Sequence, residues 1–450
     1  MSGEVRAVNS TRRSPLENRR FRSLLLVIAG IPIAATYLWQ ALLQPIFFGG
    51  YLGDFQESYL RAASRLAAGQ DPYDLCATMG CLEPTGPQYV MPLPLAWILQ
   101  PLIGVDGRVI TVATVLVLNA SVALFLWLAL QTIGVKDWQM ASLLVLVAIA
   151  FEPVLGNIAE GQVNLVLLAL SAVWFAAWVA NRWWGGVALG AEIALKLIQG
   201  PVALLVIWGR RWAMFAAAVV AGLVLWLVSA PQYLAEYLFK VVPAISQGTG
   251  LFENHSPGGT IARLIQPDTF LGAVHGSPVA ARVITIVLSL AILIATFLLL
   301  RSPSKSTAGR SMEAAVIVAA TPLIASYSWG THLALLLLPV FVVLAWSIPR
   351  RDWLVIGLVA AGWLLIGPGH KLMQALLVSG YTNLVVLRLM AEFGVVGVTA
   401  IWVATLVALR RSADGLDAAH KYRAQDQEHE GAGKHDAIPT ISMRAVEVVD

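Results

Sequence analysis

The sequence predicts an all-α, polytopic integral membrane protein with about ten to twelve transmembrane helices. The chain of 450 residues is 58% hydrophobic and 12% charged, whereas a soluble domain carries about 25% charged residues. Apolar runs of membrane-spanning length recur along the chain, and the cleanest are 24–48, 109–130 and 283–300. Hydrocarbon offers the backbone no water partners, so helices are the expected spanning elements. This composition excludes a soluble globular fold.

The N-terminal segment, residues 1–22, is basic and precedes the first apolar run. That run is too long for a cleaved signal peptide, and no A-x-A-like cleavage site follows it. We therefore expect a first transmembrane helix behind a cytoplasmic leader. Residues 411–450 are polar with little hydrophobic periodicity, which predicts a disordered cytoplasmic tail. Residues 23–410 are left as the membrane domain.

The positions of Lys and Arg predict the orientation of the chain, because short cytoplasmic loops are enriched in both. Basic clusters occur at 210–211, 301–310, 350–351 and 410–411. If these clusters and both termini are cytoplasmic, four segments lie on the extracytoplasmic side of the membrane. They are residues 49–88, 231–276, 327–332 and 367–382.

The stretch 138–208 does not divide into simple spans, because polar residues, Gly and Pro interrupt its apolar runs. Glu152-Pro153 and the segment 156–161 break the first half, and Lys196 lies within the last apolar run. Interrupted helices at membrane depth are tolerated where they are packed in protein or line a cavity. We expect half-crossing helices here, and the parity of crossings stays open.

The first predicted outer loop carries a short amphipathic helix. Its apolar stripe predicts a helix lying along the membrane surface, which ends near Gly69. The stripe consists of Phe55, Tyr59, Ala62, Ala63 and Leu66. The same loop holds Cys76 and Cys81, and two cysteines in one outward loop favour a disulfide in an oxidising compartment. Two free thiols are the alternative.

Four motifs, in the same order along the chain, resemble glycosyltransferase family 87. The first is the loop string that contains Asp54 and Tyr59. The others are Gly161-Gln162-Val163-Asn164, then Leu195-Lys196-Leu197 with Pro201, and Ser328-Trp329-Gly330-Thr331-His332. Members of this family are membrane enzymes with the C-type glycosyltransferase fold, so the resemblance implies that fold here.

The resemblance also implies a function. The family transfers a sugar from a polyprenyl-phosphate donor on the outer face of the membrane, and an Asp in the first outer loop does the acid–base work. Here that residue is Asp54. Its members include actinobacterial mannosyltransferases and arabinofuranosyltransferases of cell-wall and glycolipid biosynthesis. We therefore expect an inverting hexosyltransferase, with mannose as the first candidate sugar, arabinofuranose as the second, and a glycolipid or glycan acceptor.

The residues support parts of this chemistry independently. Asp54 at the water–lipid boundary can accept a proton from an acceptor hydroxyl. Cationic groups can stabilise the leaving phosphate, and the candidates are Lys196, His332, His255 and Arg263. A functional role is indicated most strongly for Lys196 and His332, because ionisable groups within the membrane are energetically costly and usually functional. Gln162, Asn164, Tyr59 and Trp329 complete the candidate donor- and acceptor-binding set.

Each candidate also has a structural interpretation. Asp54 with Glu57 forms the pattern of a helix capping box. Lys196 could snorkel to the cytoplasmic headgroups, and Gln162 with Asn164 could join helices. His332 could simply begin a helix at the interface.

No P-loop, HExxH or CxxC motif occurs, so we expect no metal and no cofactor. Basic residues confined to short loops also argue against a nucleic-acid partner. A transporter or flippase is the main competing function, although transporters tend to pair broken helices between their two halves, and this chain has one broken region. A non-catalytic scaffold would leave the intramembrane polar residues unexplained.

Overall fold

The computed structural model describes residues 19–49, 52–73, 89–266 and 278–412. Within these ranges the regular structure is helical, without β-strands. The helices are Arg19–Leu38, Trp39–Leu43, Gln44–Phe47, Asp54–Leu60, Arg61–Ala67, Leu93–Leu99, Gln100–Leu102, Gly107–Ile133, Trp138–Ile149, Glu152–Glu160, Asn164–Val179, Gly185–Leu195, Leu197–Gln199, Gly200–Trp208, Trp212–Ser229, Pro231–Tyr233, Leu234–Glu236, Tyr237–Val241, Val242–Ile245, Pro257–Ile265, Val279–Leu300, Thr307–Ile324, Gly330–Leu336, Leu337–Arg350, Trp353–Leu364, Leu365–Gly369, His370–Val378, Leu384–Ala391 and 393–412.

Seven helical segments in the described part are long and apolar enough to cross a membrane. They are Arg19–Phe47, Gly107–Ile133, Trp212–Ser229, Val279–Leu300, Gly330–Arg350, Trp353–Val378 and Leu384–Ser412. A pair bent by 48°, Trp138–Ile149 with Glu152–Glu160, would make an eighth. The chain is thus a multi-pass membrane protein. The count of ten to twelve also needs the shorter apolar helices and stays a prediction.

The first span begins at Arg19, inside the segment that we assigned to the leader. The remainder of that leader, residues 1–18, and the predicted tail from residue 413 lie outside the described residues.

Exposed apolar side chains mark the faces that contact lipid. In Val279–Leu300, Val287 is 62% exposed and Leu298 is 72% exposed. Apolar surface of this extent costs free energy in water but not in hydrocarbon. By contrast, Asn164–Val179 and Thr307–Ile324 are largely buried and form the centre of the helical assembly.

The helix Gly185–Leu195 packs closely against Trp212–Ser229 through small residues. A Cβ atom at Gly190 would lie 2.1 Å from the Ala218 carbonyl oxygen, and one at Gly186 would lie 2.0 Å from that of Met214. Helices approach this closely in membranes because small residues remove the steric barrier. This contact holds the broken region that precedes Lys196.

Two predicted cytoplasmic clusters, 210–211 and 301–310, meet at one end of the molecule. The Trp178 indole donates a hydrogen bond to the Arg310 carbonyl at 3.0 Å. The Arg211 guanidinium lies 3.7 Å from the centroid of the Trp178 ring and also donates to the Trp178 carbonyl. Their common location agrees with one side of the membrane for both clusters.

The short helix of the first outer loop differs from the prediction in its environment. It begins with a π-helical turn, Asp54–Leu60, and continues as Arg61–Ala67. Phe55, Tyr59, Ala62 and Ala63 are buried. The apolar stripe therefore faces the protein core, and the expectation that it would lie on lipid was wrong. It is covered because the helix packs against Leu93–Leu99, and Phe55 lies against the turn at Gly161.

Candidate active site

One large cavity collects residues from all four predicted outer segments. It has a volume of about 810 Å³. Asp54 comes from the first segment, Glu253 from the second, Trp329 from the third and Lys371 from the fourth. Lys196, from the broken region, also faces the cavity. Segments that line one cavity lie at the same end of the protein, as the loop assignment requires. That this end faces outward stays a prediction.

Asp54 is held by a hydrogen-bonded chain rather than by the end of its own helix. The Gln162 side-chain amide donates to the Asp54 carboxylate. The Tyr59 hydroxyl donates to the Gln162 side-chain oxygen at 2.6 Å. The helix that Asp54 begins is capped by Gly53, without a side-chain cap hydrogen bond. The capping-box interpretation of Asp54 is therefore not what the structure shows.

Two opposing effects set the proton affinity of Asp54. Burial raises its pKa above the ordinary value for a carboxyl group, because the charged form loses its hydration. The hydrogen bond from Gln162 and the positive charge of Lys196 act in the opposite direction. Asp54 is thus a stronger base than an exposed carboxylate, and it stays oriented into the cavity.

Gly161 explains how Gln162 reaches Asp54. Its φ of +68° lies in the left-handed region, and a Cβ atom would lie 2.6 Å from Cβ of Phe55. A side chain at this position would therefore force the two segments apart. The glycine ends the helix Glu152–Glu160 and lets the turn that carries Gln162 pack on the Asp54 helix.

Lys196 lies where the broken region is interrupted. Its backbone is extended, with φ −161° and ψ 125°, between Gly185–Leu195 and the turn Leu197–Gln199. Its Nζ donates to the Asn164 side-chain oxygen at 2.9 Å. Asn164 in turn donates to Asn157 at 2.9 Å, and Asn157 donates to the Thr331 carbonyl at 2.7 Å. Lys196 faces the cavity, so snorkelling toward lipid headgroups does not describe its position.

The Ser-Trp-Gly-Thr-His motif forms another wall of the cavity. Trp329 and His332 both line it, and the Trp329 ring centroid lies 5.7 Å from that of Tyr327. His332 is 7% exposed, and its Nδ1 atom has no hydrogen-bond partner within the described part of the chain. The hydrogen-bonded chain that runs from Lys196 through Asn164 and Asn157 ends at the Thr331 carbonyl. The motifs that contain Asn164, Lys196 and Thr331 are therefore connected by hydrogen bonds.

Three predicted binding residues, His255, Arg263 and Asn164, lie outside the cavity lining. The His255 ring packs edge-on against His370, with 4.8 Å between centroids. Burial, with the charges of His370 and Arg263, lowers the pKa of His255, so it stays neutral. Arg263 pairs with Glu392 at 2.7 Å and donates to the Asn254 carbonyl at 3.1 Å. We assign neither His255 nor Arg263 a contact with substrate. Asn164 lies behind the lining and reaches the cavity through Lys196.

The structure adds polar residues that the motifs did not identify. Lys371 pairs with Glu152 at 3.0 Å at the cavity wall. His370 and Gln374 are 3.0 Å apart, and both line the cavity. Their signal in the sequence was the interruption of an apolar run by Gly367-Pro368-Gly369 immediately before His370-Lys371.

Three further glutamates, Glu160, Glu192 and Glu253, differ in their access to the cavity. Glu160 and Glu253 line the cavity. Glu192 is fully buried and accepts a hydrogen bond from Ser171 at 2.6 Å, away from the cavity lining. Cys76 and Cys81 lie outside the described residues, so the disulfide stays a prediction. In the described ranges, no group of three or more His, Cys, Asp or Glu side chains is placed to hold a metal ion.

An α-(1→3)-arabinofuranosyltransferase of Mycobacterium tuberculosis is 31% identical over 96 residues, which cover 20% of this chain and 22% of that protein. The crystal structure of ArnT from Cupriavidus metallidurans bound to undecaprenyl phosphate aligns over 84% of this chain and 76% of that chain. Its sequence identity is 14% and its TM-score is 0.42, which is too low to support any conclusion about this chain.

The decisive match is to a family. The sequence pattern of glycosyltransferase family 87 covers residues 89–326, which is more than half of the 450 residues. Two of the four motifs lie wholly within this range, and the Ser-Trp-Gly-Thr-His motif begins just after it. The chain therefore belongs to glycosyltransferase family 87, and it is a membrane glycosyltransferase, as its motifs predicted.

Proposed function

We propose that this enzyme transfers a sugar from a polyprenyl-phosphate donor to a hydroxyl group of a glycolipid or glycan on the outer face of the membrane. One observation carries the proposal. A half-buried carboxyl group, Asp54, and a buried lysine, Lys196, face the same cavity. Gln162 donates a hydrogen bond to Asp54, and Asn164, two residues later, accepts one from Lys196. A base and a cation held this way suit a reaction that removes a proton and releases a phosphate.

The reaction follows from the roles of these two groups. Asp54 takes the proton of the acceptor hydroxyl as that oxygen forms a bond to the anomeric carbon. The bond between the anomeric carbon and the phosphate oxygen breaks, and the polyprenyl phosphate leaves with the electron pair. Lys196 stabilises the charge that develops on the phosphate, and His332 adds a hydrogen-bonding group beside it. A single displacement inverts the anomeric configuration.

Two sugars are candidates for the donor. Mannose is the first candidate, although the motifs do not separate it from arabinofuranose, and a β-linked polyprenyl-phosphate mannose would give an α-mannoside. Arabinofuranose is favoured by the relative described above, which carries that activity in its name. The short matched region leaves both sugars as proposals. The cavity volume of about 810 Å³ accommodates either sugar ring together with part of an acceptor.

The test is a transfer assay with the purified protein in nanodiscs. Polyprenyl-phosphate mannose and polyprenyl-phosphate arabinofuranose are each supplied with a membrane lipid extract, and products are identified by mass spectrometry and NMR. We expect one donor to give a product of inverted anomeric configuration. A product that retains the donor's configuration would refute the single displacement. Absence of transfer from both donors, together with donor-lipid translocation in proteoliposomes, would favour the transporter alternative.

A further inference from the structure

The cavity has two chemically different walls. The donor wall is defined by Lys196, His332 and Gln162. Gln162 donates a hydrogen bond to Asp54, and the charge of Lys196 acts on it. The second wall is formed by Glu152, Glu160, Glu253 and Lys371, and the proposed reaction assigns it no role. All of these residues line the same cavity.

Contacts show that the second wall reaches Asp54. A Cβ atom on Gly53 would lie 2.9 Å from a carboxylate oxygen of Glu160, so Glu160 lies against the residue that precedes the base. Burial raises the pKa of Glu253, and the charges of Glu160, Asp54 and Glu152 raise it further. The charge of Lys371 acts on Glu253 in the opposite sense. Asp54 also interacts with the charge of Lys196, so it is the group that the two walls share.

The charges decide which substrate each wall can hold. In the described lining there are four carboxylates, Asp54 among them, and two lysines. Glu152 pairs with Lys371 at 3.0 Å, which leaves the Glu160 and Glu253 carboxylates in excess on the second wall. Such a wall repels a phosphate, so the donor phosphate belongs beside Lys196. Carboxylates instead accept strong hydrogen bonds from hydroxyl groups.

Polar groups without protein partners indicate that the cavity receives a polar ligand. His332 is 7% exposed and its Nδ1 atom has no partner among the described residues. The Tyr327 hydroxyl is buried and has no partner there either. Buried polar atoms in native structures nearly always have a partner, and both of these residues line the cavity. Trp329 beside Tyr327 offers an aromatic face to a sugar ring.

We propose that Glu152, Glu160, Glu253 and Lys371 form the acceptor subsite, which takes an uncharged saccharide end and rejects one with an anionic group near the reacting hydroxyl. This assignment rests on the proposed function, because it takes Asp54 as the base. The base contacts the acceptor, and the donor phosphate lies at Lys196. The acceptor sugar therefore approaches Asp54 along the wall of carboxylates, and its hydroxyls replace the water that these groups lose.

The first experiment uses the wild-type protein in nanodiscs with two synthetic acceptors. Octyl α-D-mannopyranoside is compared with the octyl mannosiduronate, which differs by a carboxylate at C6. We expect the uncharged acceptor to be used with a kcat/KM at least about tenfold higher, the effect of one hydrogen bond to a charged group. Equal use of both acceptors overturns the subsite, and so does a protein that glycosylates the lipid extract but uses neither octyl glycoside.

The second experiment uses Glu253→Gln and Glu160→Gln, which lie on different segments, so one remains informative if the other fails to fold. Each should raise the KM for octyl mannoside about tenfold or more and leave the donor KM within about threefold. Each substitution should also reduce the ratio of kcat/KM for octyl mannoside to kcat/KM for the uronate. A raised donor KM with an unchanged acceptor KM overturns the proposal. A wild-type protein that transfers neither sugar would instead refute the proposed function itself.

Discussion

Replacement of Asp54 by Asn tests the proposed role of Asp54 as the catalytic base directly. The amide has nearly the volume of the carboxylate, and its oxygen can still accept the hydrogen bond that Gln162 donates. The chain from Tyr59 through Gln162 therefore remains intact. The substitution removes proton acceptance and the negative charge, and little else.

The expected effect follows from these two losses. General-base catalysis contributes about 10²- to 10⁴-fold in rate, so the kcat of Asp54→Asn should fall by that factor, or about 3–5 kcal/mol in barrier height. The charge of Asp54 interacts with that of Lys196, and a negative charge near the phosphate site opposes donor binding. The donor KM should therefore stay constant or fall, while kcat decreases by the factor given above.

The assay is initial-rate transfer in nanodiscs at varied donor concentration, with thermal unfolding as a check on folding. Glu57→Gln is the matched control, because Glu57 lies in the same helical turn but outside the cavity lining. Its rate should remain within about threefold of wild type. If folded Asp54→Asn retained more than about a tenth of the wild-type kcat, the base would not be Asp54.

Three further predictions concern the donor wall and the helix packing. Lys196→Met should lower kcat/KM for the donor by about 10²- to 10³-fold with little change in the acceptor KM; a loss confined to the acceptor KM would contradict its role. Gln162→Leu removes a hydrogen bond that lowers the pKa of Asp54, so the acid limb of the kcat/KM profile should move to higher pH; an unmoved limb would contradict this. Gly190→Ala would place a Cβ atom 2.1 Å from a carbonyl oxygen and should destabilise the protein by about 1–3 kcal/mol, which a thermal unfolding measurement would detect as a lower midpoint. Gly357→Ala is the control, because a Cβ atom there has nothing within 4 Å, and it should leave the unfolding midpoint unchanged.

Sequence patterns predicted the membrane architecture because the bilayer imposes length and hydrophobicity on each span. The helices Gly107–Ile133 and Val279–Leu300 lie within a few residues of the predicted runs. The breaks near Glu152 and at Lys196 were visible for the same reason, since a polar or bent backbone at membrane depth is rare. Burial of the first-loop helix was not predictable, because an apolar stripe fits lipid and protein equally well.

Predictability of the candidate site differs between its two walls. Most of the donor wall could be assembled from motifs, because Gln162 and Asn164 are two residues apart, and one holds Asp54 while the other holds Lys196. His255 and Arg263 show the limit of residue-type reasoning. Both are basic and lie in a predicted outer loop, but Arg263 is committed to Glu392 and His255 packs against His370. Only the positions of neighbouring segments distinguish such residues from ligands.

The second wall was hidden from the sequence because no single segment builds it. Glu152 and Glu160 begin and end one short helix, Glu253 comes from a loop about 90 residues later, and Lys371 follows a break in a late span. Each residue alone resembles an ordinary loop or interface charge, and only the fold places them together around Asp54. A short motif can preserve the chemistry of a phosphate leaving group, which is the same for every donor of this kind. An acceptor wall drawn from several segments can change one segment at a time, so recognition of different saccharides could evolve here without disturbing the base or the cation.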